Sequence, residues 1–65
     1  MLKMKNENVN GILKINNLPS YELDGFVVVR CDNATLWYFG MYDTYERSFE
    51  VAMSLGNGLV VEVRN

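Results

Sequence analysis

Phe26-Val27-Val28-Val29-Arg30-Cys31, Asp32-Asn33-Ala34-Thr35 and Leu36-Trp37-Tyr38-Phe39-Gly40-Met41 form the stretch that decides the fold. β-Branched and aromatic residues crowd the two outer segments and turn formers separate them, which is the pattern of a β-hairpin. A loop of two or four residues sets Cys31 across from Leu36, Arg30 across from Trp37 and Val28 across from Phe39. That register pairs aromatic residues with β-branched or cationic neighbours. Side chains alternate along a strand. Val27, Val29, Leu36, Tyr38 and Gly40 then share one face, and Phe26, Val28, Arg30, Trp37, Phe39 and Met41 share the other.

Downstream, Tyr42-Asp43-Thr44-Tyr45-Glu46 carries a helix-start signal. Asp43 is placed to cap the helix, and Glu46 three residues later to reach back in a capping box. The predicted helix runs from Thr44 to Leu55 and stops at Gly56, which tolerates the left-handed backbone of a helix terminus. Tyr45, Phe49, Ala52 and Met53 fall on one arc, extended by Val51 and Leu55. The arc is wider than one sheet contact needs, so the helix is either deeply buried or leaves Val51 or Met53 to touch a partner. Asn57-Gly58 turns the chain into a last strand, Leu59 to Val63. The third strand, the helix and this strand make a crossover if the two strands run parallel in one sheet.

Upstream, Gly11 to Asn16 alternates like a short strand that Pro19 closes. Asn6, Glu7, Asn8 and Asn10 disfavour strands, so residues 1–10 are expected to fray. The whole reads as one small α+β domain over residues 1–65. Its predicted order is β-β-β-α-β, with one helix packed on one face of a mainly antiparallel sheet. The helix is assigned to the Val27, Val29, Leu36 and Tyr38 face, because that row carries no charge; the alternative swaps the faces and makes Trp37 and Phe39 core residues.

At 65 residues the chain is near the lower limit for a self-sufficient core, and one cysteine allows no internal disulfide. Cys31 alone and a polar N-terminal stretch point to a reducing, cytoplasmic setting. Hydrophobic residues make up 49% and charged residues 22%, the balance of a folded globule. A net charge of −2 gives no electrostatic basis for duplex nucleic-acid binding, and no apolar run is long enough for a membrane span.

With no histidine and a single cysteine, the usual zinc ligand sets and the commonest general base are absent. Cys31 has no imidazole partner, and the serines have no recognisable base. Carboxylates are scattered, and Gly56-Asn57-Gly58 follows a helix where a phosphate loop would precede one. Neither an enzyme nor a cofactor is expected. Trp37, Tyr38 and Phe39 invite comparison with base-stacking sheets, but the glycine-aromatic motif of sheet-type RNA readers is missing.

A single helix covers one sheet face, so the other is expected to meet a partner. The row Phe26, Val28, Arg30, Trp37, Phe39 and Met41 holds the tryptophan, arginine and methionine typical of interface anchors. The expected function is a non-catalytic protein-binding module that self-associates as a homodimer or higher and binds a larger protein. The alternative is a small-molecule or nucleotide-sequestering protein with a pocket between subunits. That pocket would stack on Trp37, Tyr38 or Tyr42 and take charge from Arg30 or Arg47.

From Tyr42 to Ala52, and again from Leu55 to Val63, the chain resembles the C-terminal part of short orphan proteins encoded by bacteriophages. A strand, an acidic cap, one helix, a Gly-Asn stop and a final strand recur there. The resemblance implies a host-cell cytosolic setting, a larger host or viral protein as the target, and a role such as inhibition of a host defence enzyme or sequestration of a signalling nucleotide. It supplies no site residue.

Overall fold

The computed structural model describes residues 2–65. Met1, the first residue of the stretch expected to fray, lies outside them. The hairpin forms as the sequence dictates, with strand β2 at Gly25–Asp32 and β3 at Thr35–Tyr42. A two-residue loop, Asn33-Ala34, joins them, with φ of 52° and 62°. Both central residues are left-handed, which matches the twist of a tight hairpin. Cys31 pairs with Leu36 and Arg30 with Trp37 as expected.

Past Tyr38 the expected register fails. Val29 pairs with Tyr38 but Val28 pairs with Gly40, so Phe39 is an extra residue in β3. Such a β-bulge reverses the facing of everything beyond it. Gly40 and Tyr42 join the Val28 and Phe26 face, while Met41 crosses to the Val27 face. The Tyr42 ring folds over Gly40, where an added Cβ would lie 2.8 Å from the phenolic oxygen.

Helix α2 spans Tyr45–Leu55, and β4 spans Gly58–Val63. The cap is Thr44 rather than Asp43. The Thr44 hydroxyl accepts the Arg47 N–H at 3.2 Å. Arg47 therefore holds the third helical position, and the expected Asp43–Glu46 capping box does not form. Gly56 ends the helix at φ 80°, its N–H donating to the Met53 carbonyl. β4 lies antiparallel beside β2, as does β3 on the other side. β3 and β4 thus run parallel with β2 between them, the condition for the expected crossover.

The N-terminal third departs most from expectation. Leu2–Met4 forms β1, parallel to β4, and Asn6–Leu13 forms helix α1 where fraying and a strand were predicted. The order is β1-α1-β2-β3-α2-β4, and the sheet order is β1-β4-β2-β3. The small α+β class with a mostly antiparallel sheet holds; the expected single helix becomes two. Asn6 ties α1 down by accepting the Leu23 N–H at 2.9 Å, while its own N–H donates to the Asn65 side chain at 3.2 Å.

Each helix takes its own face. Val9, Ile15 and Leu23, from α1 and the segment after it, join Val27, Val29, Val61 and Val63 in one buried cluster. The opposite face packs against α2 through buried Val28, Ala52 and Ser48. α2 therefore covers the Phe26 and Val28 row rather than the Val27 and Val29 row assigned to it. The charge-free row is instead covered by residues 9–23. With both faces occupied, the argument that a bare sheet face must meet a partner loses its ground.

Candidate apolar binding rim

The six residues expected to form a partner site do not form one surface. Val28 is fully buried. Phe26 is half-buried, edge-on to Tyr45 at 6.0 Å between ring centroids, with the Arg64 guanidinium 5.0 Å from its ring centroid. Arg64 also bonds Glu62 at 2.9 Å and lies 3.7 Å from Asp24. Met41 sits on the other face against the buried cluster, its sulfur accepting the Asp24 N–H at 3.3 Å. Arg30 and Trp37 are exposed side by side on paired strands, and Phe39 is exposed at the bulge. Arg30, Trp37 and Phe39 remain as exposed residues near the β3 edge.

The expected stacking set is also split. Trp37 and Tyr38 point to opposite faces of β3. The Tyr38 hydroxyl is 2.7 Å from that of Tyr21, and burial with this hydrogen bond raises its pKa well above the usual 10.0. The pair fastens the 14–24 segment to the sheet. Asn16 does the same along the β3 edge, donating its N–H to the Leu36 carbonyl at 2.8 Å and accepting the Tyr38 N–H at 2.9 Å.

A second apolar surface flanks β4. Tyr45, Phe49 and Met53 are spaced by four along α2, which aligns them on one flank of the helix. Phe49 is 46% and Met53 65% exposed, too much for the sheet-facing role their spacing suggests. The buried sheet-facing residues are Ser48 and Ala52, and the helix lies so close that a Cβ at Gly58 would fall 2.6 Å from the Ala52 backbone. A serine and an alanine at the contact let α2 settle on the sheet, and its larger side chains are pushed to the flank. The Ser48 hydroxyl is satisfied by donating to the Tyr45 carbonyl at 2.7 Å.

Between that flank and β4 lies a groove of about 220 Å³ lined by Tyr45, Phe49, Met53, Leu59 and Val60. Around the β4 edge, on the other face, lies a second groove of about 280 Å³ lined by Leu2, Leu13, Val29, Leu36 and Leu59. Leu59, 53% exposed, borders both. The sequence signals this rim in the excess width of the α2 apolar arc, which points to Val51 or Met53; of the two, Met53 is exposed and Val51 half-buried. Leu2 and Leu13 give no such signal, because their elements are not legible.

The described residues contain no group of three or more histidine, cysteine or carboxylate side chains placed to hold a metal ion. Cys31 is a free, exposed thiol near the hairpin tip. Among the described residues, no helix is long and apolar enough to cross a membrane. The rim thus sits on a small α+β domain, a four-stranded, mostly antiparallel sheet with two helices packed on it. No family model matches the chain, and neither the curated proteins nor the solved structures yield a match.

Proposed function

We propose that the protein is a non-catalytic binding module that engages a larger protein through the apolar rim around β4. The observation that carries this reading is the run of exposed Tyr45, Phe49, Met53, Leu59 and Leu2, continuous across two grooves. Isolated exposed apolar residues are ordinary on a protein surface, but a contiguous patch flanked by grooves is the usual mark of an interaction site. Large aromatic and methionine side chains are also the types that anchor interfaces. The resemblance of Tyr42–Val63 to phage orphan proteins supports an inhibitor of a host defence enzyme as the biological form of this activity.

The test is capture from a bacterial lysate with three baits: the natural chain, Met53→Glu and Trp37→Ala. The expected result is one protein held at near-equal ratio by the natural chain and Trp37→Ala, and lost by Met53→Glu. Retention by Met53→Glu with loss by Trp37→Ala moves the site to the β3 edge and overturns the assignment.

A further inference from the structure

We infer that residues 5–24 form a lid that opens from the sheet as one unit while β2, β3, α2 and β4 stay folded. Opening bares the Val27, Val29, Val61 and Val63 face, which the closed molecule buries.

The lid is long, and little holds it shut. Among residues 5–24 the buried side chains are Val9, Ile15 and Leu23. Each ordered residue costs conformational entropy, which buried contacts must offset. Helix α1 adds little of its own. It contains three asparagines and Gly11, and no side chain caps it at Lys5.

Among the described residues, the lid meets the β3 edge through a few hydrogen bonds. The Asn16 backbone clasps Leu36 and Tyr38, the Tyr21 and Tyr38 hydroxyls meet at 2.7 Å, and the Asp24 N–H reaches the Met41 sulfur. Asn16, Tyr21 and Asp24 are all exposed, so water competes for these bonds. Asn65 ties the two ends of the lid, accepting the Asn6 N–H and donating to the Leu23 carbonyl. Sparsely packed segments held by exposed hydrogen bonds open at lower free energy than the whole fold. Gly25, at φ 151°, gives the downstream end a hinge.

What the lid leaves behind holds together by itself. β2 is paired on both sides, by β3 and by β4, and α2 packs on the far face through Ser48, Ala52 and Val28. Three paired strands with a helix packed on them are enough for an independent unit. Leu13 moves with the lid and lines the second groove, so opening dismantles that groove and leaves the Tyr45, Phe49 and Met53 flank in place. That consequence rests on the binding-module reading; the opening itself does not.

Native-state amide hydrogen exchange, followed by NMR on the full chain, reads the opening. The Asn16, Leu23 and Tyr38 N–H groups donate to Leu36, Asn6 and Asn16, bonds that the lid must be closed to make. Tyr38 is the most telling, because its N–H faces the lid while the Trp37 N–H in the same strand faces β2. The expected result is one shared protection for Asn16, Leu23 and Tyr38, at least about tenfold below that of Trp37 and Val61. Thr44→Ala separates the two units further. Losing the cap weakens the part that stays folded and not the closure of the lid. Protection of Trp37 and Val61 should therefore fall roughly two- to thirtyfold, with the three lid amides unchanged. Unequal protection among those three, a Tyr38 amide that tracks Trp37, or an equal fall at every amide in Thr44→Ala overturns the lid. Failure of the rim in the lysate comparison leaves these exchange values untouched, so the two readings fail separately.

Discussion

At the residue scale, the chain carries two local features whose consequences can be measured. Thr44 is the helix cap, so Thr44→Ala should destabilise by about 0.5–2 kcal/mol. Asp43→Ala should cost far less, since Asp43 makes no capping bond. Urea melts of the two variants check this, and the reverse ranking would return the cap to Asp43. Ala34 holds φ 62° at the second loop position, a conformation that costs an L-residue roughly 1–2 kcal/mol. Ala34→Gly should therefore stabilise, by less than about 1 kcal/mol once glycine's greater unfolded freedom is offset.

Tyr38 adds a pH dependence at the same scale. Its phenol is neutral when protonated, and its folded pKa lies above the usual 10.0. As pH rises past that value, the unfolded chain releases its proton first, so the folded state loses stability. Below it the contribution is constant. Chemical denaturation at neutral and strongly alkaline pH should show this loss in the natural chain and a smaller one in Tyr38→Phe.

At the element scale, the hairpin, α2 and β4 were legible because each carries its own local signature. β-Branched runs, an Asn-containing turn, a glycine stop and a Gly-led strand need no tertiary information. The bulge at Phe39 was not legible, since nothing in Tyr38-Phe39-Gly40 marks which residue the ladder skips. Its effect is large: it sends Met41 to the other face and breaks up the expected site. Nor was α1 legible. Three asparagines and Gly11 within Asn6–Leu13 disfavour a helix, and burial of Val9 together with the Asn6 bonds to Leu23 and Asn65 overrides that preference. Placing α2 by the charge of a sheet row failed because close approach decided it. Gly58, Ala52 and Ser48 supply that approach on the Val28 face. Gly58→Ala should push α2 outward and cost about 1–3 kcal/mol, read from thermal melts.

At the scale of the whole molecule, two covered sheet faces change what the surplus apolar surface means. The N-terminal third closes one face and α2 the other, so the sheet needs no second copy to bury it. What remains is a rim. It lies where α2's larger side chains border β4. Trp37 and Phe39, 41% and 48% exposed, stand apart near the opposite edge. Their separation from the rim makes the two surfaces independently testable by substitution. Met53 is the better probe because its 65% exposure leaves little core packing to lose.

The most direct measurement is therefore the lysate comparison of the natural chain, Met53→Glu and Trp37→Ala, each first shown to be folded by circular dichroism. The rim account predicts one near-stoichiometric partner bound by the natural chain and by Trp37→Ala, and absent from Met53→Glu. A partner bound equally by Met53→Glu and the natural chain would contradict it.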